Sequence, residues 1–204
     1  MAPDVPRPRR VPGGFSASER AAPSWTAGTF EWAQAGPWWR PHWEIRVADD
    51  LLAVYERLGW FLWNAAAETP YARWLLRRRG LFGRQTVTRE GEETPTLVHH
   101  ARWFRPGRIE RRGGPPLRWR RRGFGRIGKL SGTGGLGVLR RWTVDGEDGV
   151  ELVRVSLRRG PFKDEGALEI TDAGLGLPDL EPLLMLSWCL ALCTPRHRAH
   201  GGSA

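Results

Sequence analysis

Leu180-Glu181-Pro182-Leu183-Leu184-Met185-Leu186-Ser187-Trp188-Cys189-Leu190-Ala191-Leu192-Cys193 is the stretch that decides the fold. Its start and stop are both legible. Asp179 can accept the first free amide protons as an N-cap, Pro182 suits a first turn, and Glu181 sits where the helix dipole favours a negative charge. Pro195 lacks an amide donor, so the helix stops soon after Cys193. Between Leu183 and Cys193 only Ser187 is conventionally polar, and its hydroxyl can return to the Leu183 carbonyl. A helix without a polar face must be enclosed on all sides. At about 1.5 Å per residue, Pro182 to Cys193 makes a rod of roughly 18 Å, whereas a bilayer core is about 30 Å thick. The enclosing medium is therefore expected to be protein, with Leu183, Leu184, Leu186, Trp188, Cys189, Leu190 and Leu192 as its central core.

The remaining sequence has to supply that enclosure. With 204 residues the chain can build one sizeable core and a tail. Twelve tryptophans are far above common usage and require a large aromatic core or a ligand-facing surface. Arginine supplies all the basic residues except Lys129 and Lys163, a bias that a GC-rich genome also produces. Residues 1–37 are rich in Pro, Gly and Arg and read as a mostly disordered tail, able to contact a protein partner. Within them Thr29 to Gln34 could dock on the domain. The domain is expected over 38–195, with its helix at 180–193 and a short disordered tail at 196–204. No apolar run follows the basic N-terminal residues, so there is no secretory signal and the expected location is cytoplasmic.

Within the domain the dominant period is two. Trp43, Ile45 and Val47 alternate with Glu44 and Arg46, and Leu52 and Val54 begin a return after Asp49-Asp50. Around Ala65 to Leu76, alanines and leucines with few β-branched residues allow helical content. Strands are expected over Gln85–Arg89, Thr96–Phe104, Arg108–Arg111, Leu117–Arg120, Arg126–Leu130, Val138–Val144, Glu151–Leu157 and Ala167–Thr171. Short strands separated by turn signals describe an antiparallel all-β domain, and α/β folds need helical repeats that are missing. A weak echo recurs: Arg78-Arg79-Gly80-Leu81-Phe82, Arg121-Arg122-Gly123-Phe124 and Arg158-Arg159-Gly160-Pro161-Phe162. Such turns can present arginines at one rim of a barrel.

An all-round apolar helix and a meander of strands fit a sheet closed around the helix. In that layout the chain from Trp43 to Cys193 resembles the tubby C-terminal-like superfamily of tubby proteins, phospholipid scramblases and LURP-one-related proteins. The similar features are the ending Asp179 to Cys193, the strand Gly166-Ala167-Leu168-Glu169-Ile170, and the cadence Leu117-Arg118-Trp119-Arg120 followed by Phe124-Gly125-Arg126-Ile127-Gly128. The resemblance implies a closed antiparallel barrel of about twelve strands around a buried C-terminal helix. It also implies phosphoinositide headgroup binding through basic barrel residues, and a peripheral position at the inner membrane face. Scramblase activity is not implied, since the palmitoylation and calcium segments have no counterpart.

No catalytic motif stands out. Gly132 to Gly137 precedes a strand-like segment and reads as a hairpin loop rather than a nucleotide loop. Cys189 and Cys193 are expected as free buried thiols. Pro195 separates them from His197 and His200, so neither a metal nor another cofactor is expected. His99 and His100 fall on opposite faces of a strand, one packed and one exposed. Asp145, Glu147, Asp148, Asp164 and Glu165 read as solvated turn acids. Charge is the informative feature. From Tyr71 to Leu130 there are 17 Arg or Lys against 4 Asp or Glu. The candidates for binding an anion are Arg118, Arg120, Arg121, Arg122, Arg126 and Lys129, with Trp119 and Phe124 as aromatic contacts. The leading expectation is a non-enzymatic module for phosphorylated headgroups or another anionic partner, with no transmembrane span. The alternatives are a nucleic-acid-binding module and a protein-interaction scaffold.

Overall fold

A computed structural model of the chain describes residues 25–36, 41–47, 50–58, 64–79, 84–101, 106–126, 138–160 and 163–194. Twelve strands follow one another: β1 (Gly28–Ala35), β2 (His42–Val47), β3 (Asp50–Arg57), β4 (Ala65–Glu68), β5 (Arg73–Arg79), β6 (Arg84–Arg89), β7 (Leu97–His100), β8 (Gly107–Arg111), β9 (Gly114–Arg126), β10 (Val138–Asp145), β11 (Glu151–Arg159) and β12 (Asp164–Ile170). Each pairs antiparallel with its neighbours in sequence, and β1 pairs with β12, so the sheet closes into a barrel. Two helices end the chain, α1 (Asp172–Leu175) and α2 (Leu180–Leu192).

Alternation lines the barrel. Phe30 and Trp32, Trp43 and Ile45, Ala53 and Tyr55, Trp142 and Val144, and Val153, Val155 and Leu157 all point into one buried cluster. Helix α2 runs through that cluster. It touches β11 on one side and β5, β6 and β7 on the other, and Leu183 to Cys189 are fully enclosed. Trp188 packs its ring against Trp32 and Tyr55, with centroids 5.9 and 5.4 Å away. The designated helix core of Leu183, Leu184, Leu186, Trp188, Cys189 and Leu192 is buried, and Leu190 is partly buried against it. Trp32 comes this close to β12 because Gly166 has no side chain: a Cβ there would overlap both the indole and the Ser156 carbonyl.

Several local expectations are corrected. The barrel starts at Gly28 rather than at 38, because Phe30 and Trp32 give β1 an apolar face and β1 supplies the strand that closes the ring. Residues 65–76 form no helix. Ala65 and Ala67 on β4 and Trp74 and Leu76 on β5 alternate inward, and burial against α2 overrides the helical propensity of alanine. β9 is longer than expected and takes in Gly114 to Pro116. Helix α1 was not anticipated; its signal was Thr171-Asp172, where the threonine hydroxyl accepts from the Gly174 amide as an N-cap.

Two polar details of α2 also differ. Asp179 precedes the helix without capping it, because its carboxylate is held by Arg111 in a bidentate pair at 2.6 and 2.7 Å. Such a charge-assisted pair outcompetes a single amide hydrogen bond. Ser187 Oγ is buried and makes no hydrogen bond to Leu183 or to any other described residue. The helix ends at Leu192 with Cys193 as its cap, where Arg159 Nη2 donates to the carbonyls of Leu192 and Thr194 at 2.8 and 2.7 Å.

Candidate anion-binding face

The basic run on β9 is split by the strand itself. Successive side chains of a strand point to opposite faces, and β9 lies between β8 and β10 in the barrel wall. Leu117 and Trp119 face inward, where the Trp119 indole stacks on Trp142 at 6.1 Å with planes 9° apart. Arg121 is the register partner of Trp142 and shares its inward face. Arg118, Arg120 and Arg122 point outward. The candidate arginines therefore do not form one patch, and Trp119 belongs to the interior rather than to a contact surface. The side chains of Phe124 and Arg126, and all of Lys129, lie outside the described residues, as do Gly132 to Gly137.

The outward arginines have different surroundings. Arg120 and Arg122 flank the carboxylate of Asp145, at 3.2 and 3.4 Å, and Arg122 also donates to the Thr143 hydroxyl. Asp145 is completely buried beneath them, and Asp164 is buried as well, so neither is the solvated turn acid expected from its neighbours. Arg118 is exposed and makes no ion pair among the described residues. It stands directly opposite Arg108 in the β8–β9 register. Like charges facing across a strand pair are unfavourable, and among the described residues the acid that offsets Arg108 is Glu110, 3.7 Å away. Arg108, Arg118 and Arg120 line a cleft of about 380 Å³ floored by Pro106, Pro116 and Leu117, with Glu147 at its edge.

The opposite wall is built differently. A groove of about 1100 Å³ runs over β1, β2, β11 and β12, and its arginines are matched with acids. Arg46 meets Glu44 at 2.8 Å and Arg158 meets Glu165 at 2.9 Å, while Arg154 beside it pairs with Glu151 and Glu169. Among the described residues Arg118, by contrast, has no such acid beside it.

His99 is buried beside Gly107, where a Cβ would overlap its imidazole, and neither ring nitrogen has a hydrogen-bond partner. Burial, with the adjacent His100, lowers its pKa to about 4. His100 faces out and meets Glu110 at 3.0 Å. Cys189 and Cys193 are free thiols with sulfurs 3.8 Å apart, and the Tyr55 hydroxyl donates to Cys189 at 3.2 Å. The hydrogen bond to Cys189 and burial both raise the pKa of Cys193, so that thiol stays protonated and is poorly nucleophilic. Among the described residues no three His, Cys, Asp or Glu side chains gather as a metal site, and His197 and His200 lie outside them. No described helix is long and apolar enough to cross a membrane. No protein-family model, curated protein or solved structure matches the chain.

Proposed function

We propose that the barrel is a non-enzymatic binding module that recognises a phosphate-bearing anion, with a phosphorylated lipid headgroup as the favoured source. The observation that carries this reading is the cleft of Arg108, Arg118 and Arg120, in which two arginines face each other across β8 and β9. An anion held between them converts an unfavourable pair into a shared set of charge-assisted hydrogen bonds. The twelve-stranded barrel around a C-terminal helix supports the resemblance to the tubby C-terminal-like superfamily, in which basic residues on the barrel surface bind phosphoinositides. Trp119 stacks inward on Trp142, which favours the anion reading over base stacking at that residue.

Vesicle flotation and nucleic-acid titration at about 0.15 M salt, where exposed charges more than about 8 Å apart are screened, test the proposal. Phosphoinositide vesicles should be bound in preference to vesicles of equal total charge, and the double substitution Arg108→Gln with Arg118→Gln should remove most of that preference. Equal, weak binding to every polyanion would overturn it. Retention of a short duplex with no vesicle binding would transfer the function to nucleic acid.

A further inference from the structure

The two thiols of α2 play no part in the outer cleft. Cys189 and Cys193 stand one turn apart on the helix, both buried, with their sulfurs 3.8 Å apart. Two strands of the barrel reach the first of them. Tyr55 on β3 donates its hydroxyl to the Cys189 sulfur at 3.2 Å, and Gln85 on β6 donates through Nε2 at 3.7 Å. A neutral thiol is a weak acceptor, whereas a charged or metal-bound sulfur is a stronger one. Donors converging on one sulfur from separate strands are the outer support that orients a metal-bound thiolate. Met185, also fully buried, lies four residues before Cys189 and places a thioether on the same face of the helix. On sequence alone these thiols suggest a metal only together with His197 and His200, across Pro195; the fold brings Tyr55 and Gln85 to them instead.

Distance and ligand type select the cation. Bonds from thiolate to a first-row metal ion are about 2.3 Å long, so two sulfurs sharing one ion stand at most roughly 4.6 Å apart. The observed 3.8 Å falls inside that limit without moving the helix. Structural zinc takes four ligands, and no third His, Cys, Asp or Glu joins the pair among the described residues. A soft monovalent ion such as Cu(I) is selected by thiolate and thioether sulfur and is satisfied by fewer ligands. The hydrogen bond to Cys189 and the burial that keep Cys193 protonated both oppose a bare thiolate. An ion between the sulfurs answers both, because it takes the place of the shared proton and supplies positive charge. Two thiolates with one Cu(I) leave a single negative charge, and Arg78 is near enough to favour negative charge on Cys193.

We propose that Cys189 and Cys193 form a binding site for Cu(I) or another soft monovalent cation inside the barrel, supported by Tyr55 and Gln85 and independent of the outer cleft. On binding, two S–H bonds are exchanged for two S–Cu bonds. Both protons leave to solvent, and no oxidation state changes.

Anaerobic titration of the reduced full chain with Cu(I), against a chromogenic chelator as competitor, tests the proposal. One Cu(I) per chain should bind, with a thiolate-to-copper charge-transfer band in the ultraviolet. Cys193→Ser keeps the size of the side chain, and a cooperative thermal transition shows that it is folded; Cys189→Ala replaces it should it not fold. Affinity in that variant should fall by about a hundredfold or more. Tyr55→Phe removes only the hydrogen bond to Cys189 and should weaken binding about tenfold. Zn(II) at the same concentration should leave Cu(I) binding unchanged. The site does not exist if the native chain takes up no Cu(I), if the folded cysteine variant binds as tightly as the native chain, or if zinc displaces the copper.

Discussion

The two ends of the barrel hold α2 by different means. Where α2 begins, the acids at its start have specified counterparts. Arg111 holds Asp179, and Glu181 accepts from the Thr69 hydroxyl at 2.6 Å and the Trp74 indole at 2.7 Å. Where α2 finishes, the contact is to backbone instead, with Arg159 donating to the carbonyls of Leu192 and Thr194. The sequence linking the strands follows the same division. At the first end the links contain six acids, Asp49, Glu90, Glu92, Glu93, Glu147 and Asp148, and Arg112 is their single basic residue. At the second end the links are GPWWRP (36–41), LGWFLWN (58–64), GLFG (80–83), ARWFRP (101–106), the glycine-rich 127–137 and GPFK (160–163). They carry no Asp or Glu at all. A closed barrel allows this because its staves separate the two rims by the full length of the helix. One rim has acidic links and the other has links without acids.

The sharpest test of the shared axis is Trp188→Asp. An unpaired carboxylate at a fully buried position between Trp32 and Tyr55 has no compensation, and the domain should lose its cooperative thermal transition altogether. At the matched end, Arg111→Met strands Asp179, whose partner side chain is only 4% exposed. Chemical denaturation should show a loss of about 3–5 kcal/mol, and a loss below about 1 kcal/mol would erase the distinction between the ends.

His99 gives a pH-dependent measure of the interior. Its pKa of about 4 lies below the unfolded value near 6.5, so the unfolded chain binds more protons between those limits. Its contribution is complete above about pH 6.5 and falls as the pH drops toward 4, by about 3 kcal/mol in total. His99→Leu should flatten denaturation midpoints across that window. Smaller again is Glu181→Ala, which leaves the buried Trp74 indole N–H without its acceptor; about 1–3 kcal/mol should be lost in urea titrations.

The enclosed helix and the meander around it were legible because both are one-dimensional patterns. Apolar residues at every position of 183–186 and 188–193 leave no solvent face, and alternation such as Trp43-Glu44-Ile45-Arg46 marks a wall with one buried side. Residues 65–76 misled because local propensity and tertiary burial disagree there, and burial prevailed. The site was legible only as charge. Arg118 to Arg122 was visible as a basic run, but Asp145, which neutralises part of it, is 23 to 25 residues away from Arg122 and Arg120 in the chain and reads locally as a turn acid.

By itself, then, the sequence determined that a short helix must be wrapped by strands, since complete burial is written into every position of that helix. Only the closed barrel decided which arginines look outward and which inward. Facing depends on register, and register depends on how twelve strands meet when β1 closes on β12. A shift between Arg140 and Arg141, opposite Arg122 to Phe124, resets the phase of β9 against β10. A displacement of one residue there would exchange the inner and outer faces, and no local pattern in an Arg-Trp-Arg-Arg-Arg run records which of the two is adopted.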